Sequence, residues 1–97
     1  MIRLFRVTGR SMLPTLEDGD FFLAWRVRDP AKLAPGTIVR LDHPHFGPMV
    51  KRLAGFCGPE TARLASDGQT GADHADLGDV SVHAITHRLL LRIPKRR

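Results

Sequence analysis

Of the fifteen basic residues, twelve are arginines and three are lysines. Lys32 lies among loop-forming residues and Lys95 in the basic end, which leaves Lys51 as the lysine in an apolar setting. In an extended Met49-Val50-Lys51-Arg52-Leu53, the side chains of Met49, Lys51 and Leu53 share one face, while Val50 and Arg52 take the other. An ammonium withdrawn from water loses the hydration that stabilises its charge, so its pKa falls and the neutral amine serves as a general base near neutral pH. Arginine cannot do this, being protonated at every accessible pH. The competing reading is a lysine whose stem packs on the sheet while its head reaches water.

Ser11 is the matching candidate nucleophile. It follows Gly9-Arg10 and precedes Met12-Leu13-Pro14-Thr15, where a strand turns sharply and a nearby glycine lets a substrate backbone approach. A hydroxyl there needs only a base within hydrogen-bond reach. Its structural alternative is a cap on a short helical turn with Pro14 in the first turn.

Other chemistry is weaker. Zinc needs three or four converging ligands, and His83 and His87 face together only on a helix, whereas their segment reads as a strand. His43, His45 and Cys57 complete no such set, so no metal or other cofactor is expected. Cys57 reads as a small core residue, with no basic pattern around it to depress its pKa. Asp18 and Asp20 read as turn residues. Phe21, Leu23 and Trp25 alternate with Phe22, Ala24 and Arg26; core packing is expected of the first set, with a groove for an extended peptide as the other use.

The elements that must position these residues are strands. Seven prolines and nine glycines punctuate short β-branched, apolar or alternating stretches, a pattern that predicts a mainly β domain of antiparallel sheets. Strands are predicted near Leu4 to Thr8, Phe21 to Arg26, Thr37 to Leu41, Met49 to Leu53, Thr61 to Ala65 and Ile85 to Ile93. Ser11 to Leu16 can hold at most a short helical turn, ended by Glu17-Asp18-Gly19-Asp20. Asp29-Pro30 to Pro35-Gly36 reads as a connection and His43-Pro44 to Gly47-Pro48 as a hairpin tip. Ser66 to Asp79, rich in Gly, Asp and Ala, reads as a long surface loop, and such loops are more often functional than idle.

Ninety-seven residues make one domain, with a core from about 5 to 93 and a basic tail at 94–97, and exclude a multidomain enzyme. One cysteine excludes an internal disulfide. No stretch approaches the ~18 apolar residues of a membrane helix, so no transmembrane anchor and a cytoplasmic location are expected, with peripheral membrane contact left open. A net charge of +5 favours an anionic partner, but the charges are scattered and only Lys95-Arg96-Arg97 forms a run, which argues against nucleic acid.

The run Gly9-Arg10-Ser11-Met12-Leu13-Pro14-Thr15-Leu16, followed by Gly19-Asp20, resembles the nucleophile box of the serine-lysine peptidases, the family of type I signal peptidases and the LexA self-cleaving domain. Pro35-Gly36-Thr37-Ile38-Val39 looks like that family's next strand opening, and Met49 to Gly55 like its general-base box, 40 residues after the serine. Ser66-Asp67-Gly68 and Leu77-Gly78-Asp79-Val80 look like parts of its last box. Counting back from Gly78 places Asp73 on that box's aspartate, Gly71 on its lysine-orienting serine and Ala75 on its arginine.

The resemblance implies coiled antiparallel sheets and peptide-bond hydrolysis without metal, with Ser11 as nucleophile and Lys51 as base. It also implies an oxyanion hole of backbone N–H groups from Ser11 and Gly9, and supporting positions for Asp73, Arg52 and Met12. With Gly71 lacking a hydroxyl, the Lys51 amine is expected to be held by a backbone carbonyl or another group, the Ser66 to Asp79 loop being one source. Short relatives without an anchor include maturation proteases of nickel superoxide dismutase. The expected substrate is therefore an extended N-terminal segment of a protein precursor, cut in trans, since ten residues before Ser11 cannot supply a scissile segment. The rival expectation is a peptidase-fold module, disabled at Gly71 and Ala75, that binds nucleic acid, anionic membrane or a protein partner.

Overall fold

The computed structural model describes residues 1–67 and 79–95. They form seven strands: β1 (Ile2–Arg6), β2 (Phe21–Arg26), β3 (Ile38–His43), β4 (Gly47–Phe56), β5 (Thr61–Ala65), β6 (Asp79–Ser81) and β7 (Ile85–Ile93). All pair antiparallel in one sheet of order β1-β2-β7-β3-β4-β5-β6. The chain is mainly β, as its alternation and turn chemistry predict. Helical structure among the described residues is confined to two 3₁₀ turns, Pro30–Lys32 and Val82–Ala84.

Three departures from the expected boundaries have local causes. β1 ends at Arg6 rather than Thr8 because the backbone of Val7 leaves the ladder: its N–H donates to Asp20 O and its carbonyl accepts from Gly19 N. β4 runs on to Phe56 because β5 supplies a partner for its second half, across a bulge between Leu53 and Gly55. β6 is an unpredicted strand that starts at Asp79, the last residue of the expected Ser66 to Asp79 loop. It is three residues long, has the buried Val80 at its centre and pairs with β5.

Two apolar clusters occupy opposite faces of the β3–β4 pair, a consequence of side chains alternating along a strand. Val39, Leu41 and Leu53 join Ala62, Val80, Val82 and Ile85 in one cluster. Ile38 and Val50 pack instead against Val7, Met12, Leu16, Phe22 and Ala24. The inward residues of β2 are thus Phe22 and Ala24, whereas Phe21 and Trp25 are exposed, which corrects the expectation for that strand. Phe22 is held inside by its stacking on Phe5, at 5.5 Å between centroids, and by Met12 and Leu16 from the loop above. Burying such a phenylalanine contributes about 2 kcal/mol.

Asp20 closes the long connection between β1 and β2. Its side chain has no solvent exposure. It accepts from Glu17 N at 2.9 Å, Arg92 Nε at 2.8 Å and Lys95 N at 2.9 Å, tying the loop to the end of β7. Gly19, at φ +90°, makes the preceding turn in a conformation that side-chain-bearing residues rarely adopt. The Lys95 N–H holds the Asp20 carboxyl below the ordinary carboxylate range, helped by Glu17 N–H and Arg92 and opposed by burial. His87, buried edge-on against the Phe5 ring, is held below the usual imidazole value by burial first and then by Arg40, Arg26 and Arg3.

Both groups have a lower pKa folded than unfolded, so each contributes stability above its unfolded value that is lost as pH falls through its folded value. Stability to urea should therefore start to fall below about pH 6.5 through His87 and again below about pH 4 through Asp20. His87→Asn should remove the upper step, and a wild-type profile flat from neutrality to the carboxylate range would contradict the assignment. Asp20→Ala leaves Arg92 and two part-buried backbone donors without their acceptor and should cost about 2–3 kcal/mol in the same measurement.

Candidate active site

The loop after β1 presents Ser11. Gly9 turns the chain at φ +90°, and Leu16 N donates to Met12 O at 2.8 Å, closing a hydrogen-bonded turn. Met12 and Leu16 are buried in the cluster beneath, and this anchors the loop and leaves Ser11 half-buried just outside it. Met12, expected in a supporting position, packs beneath the loop that carries Ser11. The N–H of Gly9 donates to Asp18 Oδ1 at 2.9 Å, so in this conformation it is engaged within the loop rather than offered as an oxyanion donor. The backbone donor that the expected pair retains is Ser11.

Lys51 stands opposite Val39 in the β3–β4 ladder and is 7% exposed, on the same face as the fully buried Leu53. Its Nζ donates to Ser66 Oγ at 2.9 Å. The register explains the meeting: Arg52 pairs with Ala65, so the chain leaving β5 passes alongside the Lys51-Arg52 pair. A side-chain hydroxyl from the 66–79 segment thus holds the amine, five residues before the Gly71 position that lacks one. Gly71, Asp73 and Ala75 lie outside the described residues.

Arg52, on the opposite face from Lys51, grips Asp67 with two parallel bonds, Nε to Oδ1 at 2.8 Å and Nη2 to Oδ2 at 2.7 Å. Its remaining nitrogen, Nη1, donates to Gly36 O at 2.6 Å. Thr15 Oγ1 in the Ser11 loop donates to Asp67 Oδ2 at 2.6 Å. The Arg52 guanidinium lowers the Asp67 pKa, with Thr15 adding and burial opposing, and Asp67 in turn raises that of Arg52. This clamp joins the serine loop, the lysine strand and the segment carrying Ser66. Thr15 and Ser66 were missed as site residues because their partners are distant in sequence, and only the β4–β5 register predicts the Ser66 contact.

Ser11 and Lys51 line one cavity of about 290 Å³, together with Gly9, Met12, Met49 and Val50. Gly47 to Lys51 pair with β3 along one edge, whereas β5 pairs from Arg52 onward, so among the described residues the other edge of this stretch carries no partner strand.

The remaining candidates lie elsewhere. His43 Nδ1 accepts from His45 N at 3.0 Å and Phe46 N at 3.2 Å, which makes it the internal brace of the β3–β4 hairpin. His83 lies in a 3₁₀ turn, and no cluster of three potential metal ligands forms among the described residues. Cys57 is exposed rather than in the core: β4 has ended at Phe56, and the thiol sits in the turn beside Arg63 Nη2 at 2.8 Å. No helix among the described residues is long and apolar enough to cross a membrane. Compared with protein families, curated proteins and solved structures, the chain matches none.

The clamp generates a prediction independent of any activity. Bidentate arginine–carboxylate pairs that are partly shielded exceed exposed ones, so a double-mutant cycle of Asp67→Asn and Arg52→Gln should give a coupling of about 1–2 kcal/mol in urea unfolding. A coupling near zero would show the contact to be incidental.

Proposed function

We propose that this chain is a serine-lysine endopeptidase of the signal peptidase and LexA type. The single observation that carries the reading is the burial of Lys51, its amine held by Ser66, in the wall of the cavity that Ser11 also lines. A buried lysine held by a hydroxyl is what general-base work requires, and arginine-rich usage elsewhere in the chain makes its placement specific.

In this mechanism an extended peptide adds a strand beside Gly47 to Lys51, its backbone satisfied by β4 and its side chains entering the cavity. The neutral Lys51 amine takes the Ser11 proton as Oγ attacks the scissile carbonyl carbon, and the Ser11 N–H stabilises the developing oxyanion. Collapse of the tetrahedral intermediate expels the amine product, which receives the proton from Lys51, and leaves an ester on Ser11. Water, deprotonated by Lys51, then attacks the ester; collapse releases the carboxylic acid product, and Lys51 returns the proton to Ser11 Oγ, regenerating the free serine and the neutral amine. Ser66 positions the amine through its hydroxyl, and the Arg52–Asp67–Thr15 clamp keeps the lysine strand and the serine loop in register. The substrate class is the N-terminal extension of a protein precursor, with the nickel superoxide dismutase precursor as the first to try.

The test is mass spectrometry of that precursor and of a proteome-derived peptide library after incubation with wild type and variants. Ser11→Ala should abolish every wild-type cut while keeping the urea midpoint. Lys51→Arg should be as inactive as Lys51→Ala, because arginine retains charge but cannot accept the proton. Ser66→Ala should lower turnover about tenfold or more, with activity partly restored in Ser66→Thr. Cleavage that survives Ser11→Ala, or an active Lys51→Arg, overturns the proposal.

A further inference from the structure

The outer face of the β1–β2–β7 ribbon is apolar and open. Cross-strand register sets three rows on it: Ile2–Trp25–Arg88, Leu4–Leu23–Leu91 and Arg6–Phe21–Ile93. Leu4 is 53% exposed, Leu91 56% and Trp25 43%, and Ile2, Phe21 and Ile93 are exposed with them. The bulge opposite Leu23 and Ala24 turns out one more exposed leucine, Leu90. Scattered apolar residues on a surface are ordinary, but a continuous patch across three strands is not.

The charges on these strands are all of one sign. β1, β2 and β7 carry Arg3, Arg6, Arg26, Arg88 and Arg92 and no aspartate or glutamate. Arg92 is consumed by Asp20, whereas Arg6 and Arg88 stand exposed at opposite corners of the apolar rows. We propose that this face docks on an anionic membrane surface, with Ile2, Leu4, Leu91 and Ile93 entering the headgroup and acyl boundary, Trp25 at the interfacial level, and Arg6 and Arg88 on lipid phosphates. Apolar burial and attraction to anionic lipid act together in such binding, and long arginine stems reach past apolar neighbours to the headgroups. A second copy of the chain fits less well, since no carboxylate on these three strands would meet Arg6 and Arg88 across the contact.

The docked face leads directly into the candidate active site. β1 passes from it into the Ser11 loop, and Arg6 belongs to both the outer rows and the cavity wall. The cavity would therefore open beside the lipid surface, but docking itself requires no catalysis.

Trp25 is the chain's one tryptophan and lies inside the patch, so its emission reports the contact directly. The full chain would be mixed with phosphatidylcholine vesicles and with vesicles in which a quarter of the lipid is phosphatidylglycerol, following both emission and co-sedimentation. The expected result is a blue shift and sedimentation with the anionic vesicles, weakened by salt, unchanged in Ser11→Ala, and reduced about tenfold or more in the double variant Leu4→Ser, Leu91→Ser. Arg6→Gln with Arg88→Gln should remove the preference for anionic over neutral vesicles while keeping the urea midpoint. The proposal is overturned by an absent shift with anionic vesicles or by equal binding to both vesicle types. It is also overturned by a shift that follows protein concentration in lipid-free buffer, which would assign the face to a second copy.

Discussion

One carboxylate ties the loop after β1 to the end of β7. Asp20 is removed from water altogether, and an ion so placed is tolerable only when its oxygens are satisfied by charge and by N–H donors. Arg92 supplies the charge, and the backbones of Glu17 and Lys95 supply the donors. The loop from Val7 to Asp20 is thereby closed at its base, with the Val7 backbone paired to Asp20 and Gly19. Ser11 can be presented at a defined place because that closure, together with the burial of Met12 and Leu16, leaves the loop few alternatives.

A second polar assembly does for Lys51 what Asp20 does for Ser11. Arg52 spans Asp67 and Gly36 O, and Thr15 reaches the same carboxylate from the serine loop. Adjacent residues on a strand face opposite ways, so Lys51 and Arg52 can divide the labour: one points its amine to Ser66, the other anchors the segment that carries Ser66. The partners are brought together by the β4–β5 pairing, and the geometry at the amine inherits its precision from ordinary ladder hydrogen bonds.

The sheet also has two unlike faces on its β1–β2–β7 side. Inward, Phe5, Phe22 and Ala24 close over the core and under the serine loop, while outward a comparably apolar set stays open. Retaining such a face costs solubility, and the absence of acidic residues from the three strands gives it a definite electrostatic character.

By itself the sequence determined the class of fold and singled out Ser11 and Lys51 as the candidate pair. Period-two alternation and glycine–proline punctuation are local signals, so β2, β5 and β7 are legible with their boundaries, and the scarcity of lysine singles out Lys51. Which face of β2 turns inward was not legible, because Phe21-Leu23-Trp25 and Phe22-Ala24 are both apolar and only the packing of Phe5, Met12 and Leu16 chooses between them. The partners of Lys51, Arg52 and Asp20 were equally hidden. Ser66, Asp67, Arg92 and Lys95 lie far along the chain, and strand register and closure of the sheet, neither of which leaves a local mark, bring them into contact.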